Sequence, residues 1–510
     1  MNKAVKIAVV TLCAAAVATT VPALAACTSS QTFVTSVAKT GTDSTGDIYT
    51  VYYSDGSTSS FTIPTTSDTL AADGLYEKYK EETGEDISYE EFLEKYMAVN
   101  ADTTATVTNY CLQSTLKIYS QFVETINFPG SGWHVQSLSD YAIYTGAAII
   151  YQMDESADGY SYLITNYHVV FDNNADVSKN GGSKIALELN GYLYGSESKP
   201  VPTEEKDANG YTEYDYGEYA IPLEYVGGSI TNDIAVLRAK TSDIKAVNEN
   251  ACEVKIADEY YVGETAIAIG NPEDGGISVT RGVISTVNEQ IALAIDDTTR
   301  AYRSMRIDTA LYSGNSGGGL FNCDGELIGI TNAGNGDDQN INYAVPLEIV
   351  TGVANNIIYY ANDGDDSTND GYDITFGFSV ETTNSKYVYD QSVGYGEVFE
   401  DVSVSEVNEG SIAEKIGLQQ GDIVKSLIIN GKEIEIDRSY DISDLAFTVR
   451  PGDTVNFKVE RAGESVTLTE QTIAFSDLTA SVVKNTHLHP IFKPLLSMRA
   501  AQYCAALLQF

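Results

Sequence analysis

Ser313-Gly314-Asn315-Ser316-Gly317-Gly318-Gly319-Leu320 sets a single central hydroxyl, Ser316, among glycines. Glycine adopts backbone conformations closed to other residues, so the chain can turn sharply on both sides of Ser316 and aim main-chain amides at one place. By itself the run is a tight loop. Upstream lie Leu163-Ile-Thr-Asn-Tyr-His168-Val-Val and Asn232-Asp233-Ile-Ala-Val-Leu-Arg238, each a polar residue at the end of an apolar, strand-like run. Alone, a histidine after a strand is usually structural, and an aspartate before an apolar run usually caps or turns. Together the three segments supply His, Asp and Ser on strand ends, the members of a hydrolytic triad.

The chemistry follows from residue type. Ser316 is a poor nucleophile until a neutral imidazole takes its proton during attack. His168 closes a strand-like run, whereas His134 sits in a Gly-rich, turn-like stretch and is expected to be structural. Asp233, bonded to the far ring nitrogen of His168, would fix its tautomer and stabilise the imidazolium. The amides of Gly314 and Ser316 can face the developing oxyanion, a contribution of about 2.7–4 kcal/mol per donor in comparable sites.

From 105 to 360 the sequence breaks into short β-rich segments between Gly, Asn and Asp: 142–151, 161–165, 185–189, 234–237, 265–269 and 327–331. That pattern predicts a β-sandwich or a pair of barrels. Ahead of it, 47–53 and 58–63 read as a polar hairpin, and 75–82 and 90–96 as helices, within a spacer over 27–104 that carries no visible chemistry. An acidic, Gly-rich linker (361–373) separates the β-rich part from a second folded unit (374–473). The end of the chain (474–510) is atypical: from 479 on it holds His487, His489, Lys484, Lys493 and Arg499 and no acidic residue. It reads either as a cationic amphipathic tail or as an altered reading frame.

At the other end, Lys3 and Lys6 precede an apolar, alanine-rich run to Ala26, the layout of a secretory signal rather than a membrane span. Leu24-Ala25-Ala26-Cys27 resembles the bacterial lipobox, in which the cysteine is acylated. Residues 1–26 are therefore expected to be a lipoprotein signal peptide, with Cys27 the lipid attachment site on the extracytoplasmic face of the cell membrane. The other reading is an ordinary signal peptide that leaves Cys27 a plain thiol. Cys111, Cys252, Cys323 and Cys504 are too few for a disulfide scaffold and lack the short spacing of a zinc site, so buried free thiols are expected.

The 510 residues carry 30 Lys plus Arg against 72 Asp plus Glu, a net charge of −42. A phosphate backbone is held by clustered cations, so nucleic-acid binding is excluded. With 43% hydrophobic and 20% charged residues, the charge reflects scarce basic residues rather than disorder. The acidic stretch 362–370 lacks the glutamate that ends an EF-hand loop, and no nucleotide-binding fingerprint appears in context, so neither metal nor cofactor is expected.

The dispersed motifs resemble the HtrA/Deg branch of trypsin-like serine proteases. Further matches are Ala266-Ile-Ala-Ile-Gly270-Asn271-Pro272, Arg281-Gly-Val-Ile-Ser285, Asp308-Thr-Ala310 and Asn340-Ile-Asn-Tyr-Ala-Val-Pro346. The resemblance implies a mainly β fold: a trypsin-like double β-barrel over 105–360, followed by an α+β PDZ domain. It also implies endopeptidase action on unfolded or damaged envelope proteins, and a homo-oligomer, a trimer. There are departures. The gap between His168 and Asp233 is longer than usual, and the stretch 192–219 is expected to form a surface loop. Gly146-Ala147-Ala148 replaces a Gly-Ser-Gly turn, and Asn342 stands where glycine is usual. In trypsin-like enzymes the residue six before the nucleophile floors the pocket for the P1 side chain. Here it is Ala310, which lacks the counter-charge for Lys or Arg. Leu311, Tyr312, Ile330 and Asn332 are candidates for the pocket wall, favouring a modest apolar side chain, with core roles as the other reading.

Phe376-Gly377-Phe378-Ser379-Val380 resembles the carboxylate-binding loop and following strand of a PDZ domain. Gly410-Ser-Ile-Ala413, Gly417-Leu-Gln-Gln-Gly421-Asp422-Ile423 and Arg450-Pro-Gly-Asp453 fit the same pattern. Such a domain takes a peptide C-terminus as an added strand, here alongside 379–381 and against a helix near 442–449. In the alternative, the groove is occluded and the domain only docks. A different class of function also stands: a chaperone-like or peptide-binding scaffold whose protease domain rests without turnover.

Overall fold

The computed structural model describes residues 34–42, 47–53, 58–63, 103–129, 135–335, 338–362, 371–390 and 395–480. The signal segment with Cys27, the expected helices at 75–82 and 90–96, His134, most of the acidic linker and the chain beyond 480 lie outside the described residues.

Two units make up the chain, 1–107 and 108–510. In the first, β1 (Val34–Thr42), β2 (Asp47–Tyr53) and β3 (Thr58–Ile63) form an antiparallel sheet in that order. The expected hairpin is present with the expected bounds. The additional strand β1 belongs to a Ser- and Thr-rich stretch with no alternating apolar signal.

The second unit starts with a closed barrel built from β4 (Thr115–Pro129), β5 (Val135–Met153), β6 (Tyr160–Thr165), β7 (Glu188–Leu193), β10 (Ile221–Ser229) and β11 (Ile234–Lys240). Side chains two apart share a face of a strand. Accordingly Leu116 with Ile118 on β4, and Ala148 with Ile150 on β5, enter the same core, joined by Leu163 and Leu237. Between β7 and β10, β8 (Val201–Lys206) and β9 (Thr212–Asp215) pair as a separate hairpin. The surface loop expected over 192–219 is thus corrected at its start. Tyr192 lies in β7, fully buried, and its hydroxyl donates to Tyr216 O at 2.6 Å. Tyrosine buries its ring once the hydroxyl finds an acceptor, which its polar neighbours in the sequence conceal.

The following strands are β12 (Lys255–Ile256), β13 (Thr265–Gly270), β14 (Ser278–Ala294), β15 (Thr299–Ile307), β16 (Gly319–Phe321), β17 (Glu326–Asn335) and β18 (Asp338–Pro346). They form one sheet in the order β12-β17-β16-β13-β14-β15-β18, and a further pairing of β17 with β18 closes the ring. The molecule therefore has a trypsin-like double-barrel architecture followed by a C-terminal β domain.

That domain contains β19 (Tyr372–Ile374), β20 (Phe378–Asp390), β21 (Tyr395–Val407), β22 (Ile423–Ile429), β23 (Lys432–Glu435), β24 (Thr454–Arg461), β25 (Glu464–Thr467), β26 (Gln471–Thr472) and β27 (Leu478–Ala480). Phe376, Val404, Leu427 and Phe457 form part of its core. Its folded chain runs past 473, because β27 pairs with β19. The helix near 442–449 is shorter than expected, Asp441–Ala446. Of the thiols, Cys111 is buried and Cys252 half-buried, whereas Cys323 is exposed and so departs from the expectation of burial.

Candidate active site

His168 and Asp233 meet at the edge of the first barrel. Asn166 leaves β6 in an extended conformation and starts α1 (Tyr167–Val170), a single turn that carries His168. The His168 main-chain N–H donates to Asp233 Oδ1 at 2.9 Å, and Nδ1 pairs with Oδ2 at 2.7 Å. A carboxylate partner places the imidazole proton on Nδ1 and leaves Nε2 its lone pair. Asp233 occupies the turn between β10 and β11 with φ 53°, held by Asn166 Nδ2 donating to its carbonyl at 2.9 Å. Nearby, the Tyr302 hydroxyl of β15 donates to Ile230 O at 2.8 Å, so the second barrel also supports this turn. Asp233 is fully buried, while the His168 side chain is 33% exposed. Burial would lower the imidazole pKa, but the charge and hydrogen bond of Asp233 outweigh it and raise it above 6.5.

Ser316 arrives from the second barrel. Asn315 N donates to Tyr312 O at 3.0 Å and Gly318 N to Asn315 O at 2.9 Å, two successive turns around the hydroxyl. Gly314 (φ 95°) and Gly317 (φ 85°) make these turns possible. A Cβ on Gly314 would lie 2.2 Å from Asn271 O, and one on Gly317 would lie 2.2 Å from Ala147 O, so no side chain fits at either. Across the barrels, Ala147 N donates to Ser316 O at 2.9 Å. Gly146-Ala147-Ala148 thus sustains this close approach without the more usual Gly-Ser-Gly.

The Ser316 hydroxyl donates to Asn332 O at 3.1 Å and not to His168. Among the described residues, the amides of Gly314 and Ser316 donate to no protein acceptor. Two free backbone donors on one tight loop are the kind of group that can receive a developing oxyanion.

The expected pocket residues have unlike surroundings. Ala310 and Leu311 are half-buried, Tyr312 is exposed, and Ile330 is fully buried where β17 pairs with β16 and β18. Asn332 sits at a register shift of β17, 5% exposed, and neither atom of its carboxamide finds a partner among the described residues. Asn342, in place of the usual glycine, donates through Nδ2 to Thr309 O at 2.9 Å and so anchors the approach to Ala310. Asn166, Tyr302 and Thr331 went unnoticed in the sequence. Thr331 Oγ1 donates to Asn315 O at 2.6 Å. No local signal marks such residues, because their partners are distant in the chain.

Residues 148–330 match the family model of the trypsin-like peptidase domain. This segment has the trypsin-like relationship that its two barrels suggest. The chain is 29% identical over 207 residues to the serine endoprotease DegS of Haemophilus influenzae, covering 40% of this chain and 53% of that protein. It is 26% identical to the serine protease Do-like HtrA of Bacillus subtilis, covering 63% of this chain and 62% of that protein. The chain thus spans about half to three-fifths of these relatives. A solved structure, the HtrA-type protease AlgW with decapeptide, matches at 23% identity with a TM-score of 0.42, covering 72% of this chain and 97% of that one. What this chain is similar to is therefore a trypsin-like peptidase domain and, over part of their length, serine proteases named DegS and HtrA.

In the C-terminal domain, Phe376 is buried against Phe457, with ring centres 5.2 Å apart, and its carbonyl accepts from Ala413 N at 2.9 Å. Gly377 turns with φ 81°. Phe378, Ser379 and Val380 begin β20, which pairs with β21 on one side and forms an edge of its sheet. Among the described residues its other side carries no strand.

Proposed function

We propose that the chain is an exported serine endopeptidase, anchored through lipid on Cys27, that cleaves unfolded or damaged envelope proteins. The observation that carries this is the bonded His168–Asp233 pair of the first barrel together with the free amides of Gly314 and Ser316 on the second, the two barrels being joined by Ala147 N donating to Ser316 O. In the reaction Ser316 Oγ attacks the scissile carbonyl as His168 Nε2 takes its proton, and His168 then returns that proton to the leaving amine. Water repeats the sequence to release the acyl group. The two amides stabilise the oxyanion in both halves. Ala310 at the pocket floor favours a modest apolar P1 residue, with Leu311, Tyr312, Ile330 and Asn332 as walls. The C-terminal domain acts as a PDZ module. Amides around 376–378 hold a peptide carboxylate, and the open edge of β20 takes the peptide as a further strand. Assembly as a homotrimer completes the proposal.

A second reading is favoured by one observation: the Ser316 hydroxyl is bonded to Asn332 O rather than to His168. It is a chaperone-like scaffold whose protease domain rests. Mass spectrometry of an unfolded protein mixture incubated with the full chain separates the two. Endopeptidase action predicts cleavage after modest apolar residues, abolished in Ser316→Ala. Suppressed aggregation by wild type and variant alike, with no cleavage by either, would favour the scaffold.

A further inference from the structure

Lys117 of β4 is 1% exposed, a rare setting for an ammonium group. Its Nζ reaches Asp274 Oδ1 at 2.7 Å and lies 4.8 Å from the centre of the Tyr119 ring. The Tyr119 hydroxyl donates to the same carboxylate oxygen at 2.5 Å, and Lys199, in the stretch after β7, reaches Oδ2 at 2.8 Å. Burial would raise the Asp274 carboxyl, but these three donors outweigh it and hold it at about 2. Burial and the Asp274 charge together push the Tyr119 phenol well up, so it remains a donor.

Asp274 stands in the loop that leaves β13, and this loop supports the nucleophile segment. Glu273 N donates to Ser313 O at 2.6 Å, and Asn271 N to Gly314 O at 3.3 Å. Asn271 O lies so close to Gly314 that a Cβ there would be 2.2 Å away. The Ser313 carbonyl and the Gly314 N–H belong to one planar peptide and point in opposite directions. Holding that carbonyl on Glu273 therefore turns the Gly314 N–H the other way. Glu273 and Asp274 adopt φ 53° and 54°, left-handed conformations that residues with a side chain keep only where their surroundings impose them. For Asp274 those surroundings are Lys117, Tyr119 and Lys199.

We propose that Lys117 and Asp274 are positioning residues for the oxyanion hole. Their ion pair, completed by Tyr119 and Lys199, clamps 271–274 so that the Ser313–Gly314 peptide presents its N–H to the oxyanion. The clamp rests on Ser316 being the nucleophile and Gly314 an oxyanion donor. It also gives the stretch inserted after β7 a role, since Lys199 comes from it.

The test is steady-state cleavage of a peptide by the full chain, with inhibition by a peptide aldehyde that forms an oxyanion on Ser316. Asp274→Asn is expected to lower kcat by about 10- to 100-fold, because a misdirected donor forfeits part of the about 10²–10³-fold that outright loss of one costs. KM should stay within about twofold, and aldehyde affinity should fall with kcat. Asp274→Asn leaves the Lys117 ammonium buried without its partner, so Lys117→Met/Asp274→Asn, which removes both charges, is measured with its thermal midpoint. Lys199→Ala, at a side chain 62% exposed, keeps the Lys117 pair and should lower kcat less. Wild-type kcat in the folded double variant, or a loss confined to KM, overturns the clamp. Inactivity of the wild type toward the same peptide would instead remove the reading of the site on which the clamp rests.

Discussion

The two barrels bring their share of the site in different states of readiness. In the first, His168 holds Asp233 through two bonds, one from the ring and one from the main chain, around a fully buried carboxylate. In the second, the Ser316 hydroxyl has one bond, at 3.1 Å to Asn332 O, although the backbone around it is fixed by several. On the proposed mechanism the base is held by two bonds, whereas the Ser316 hydroxyl has to leave Asn332 O before it can bond the imidazole, a change of side-chain rotamer. Hydrogen bonds of a catalytic site commonly tighten only once substrate is bound. If the proposed roles hold, the His168–Asp233 pair is the rigid part of the site and the serine the part that adjusts.

The largest expected effect breaks the second barrel's contribution. Ser316→Ala should lower kcat by about 10⁶-fold, as loss of the nucleophile does in comparable enzymes. Its thermal midpoint should hardly move, because the hydroxyl makes a single bond; calorimetry beside a peptide assay checks both. Asp233→Asn breaks the first barrel's contribution and should cost about 10⁴-fold by reversing the imidazole tautomer. Retained activity in that variant would contradict the assigned role of the pair.

The pH dependence sharpens the same comparison. Asp233 raises the His168 pKa, so kcat/KM should fall as pH drops through a value above 6.5, where the imidazole takes a proton and ceases to be a base. Stability runs the other way. The contribution of the protonated pair is fully present below the unfolded pKa of about 6.5 and is lost as pH rises through the folded value. A pH–rate profile and thermal midpoints over the same range should therefore slope in opposite senses from this group. The smallest effect is expected from Tyr302→Phe, which leaves the Ile230 carbonyl without its donor. It should cost about 1–3 kcal/mol of stability with a modest loss of activity.

Much of the architecture is legible in the sequence because strand periodicity is local. Asp47–Tyr53 and Thr58–Ile63 appear with the expected bounds, and the end of the strand before His168, at Thr165, and the start of the strand after Asp233, at Ile234, fall where the sequence places them. His168, Asp233 and Ser316 could be picked out because three weak signals in one chain reinforce one another. Tyr192 was misplaced because its burial depends on an acceptor, Tyr216 O, that lies across an insertion. The Lys117–Asp274 pair was invisible for a related reason. Both residues look like ordinary surface charges until folding joins β4 to the loop after β13. The support of Asp233 by Tyr302 likewise crosses from one barrel to the other.

The most direct test of the preformed base and adjustable nucleophile is the rate at which a fluorophosphonate labels the full chain, followed by intact mass and peptide mapping from pH 5 to pH 9. The account predicts a single adduct on Ser316, absent in Ser316→Ala, with a rate that rises through one ionisation above pH 6.5. Adduct formation elsewhere, or a rate on Ser316 that ignores pH across this range, would contradict it.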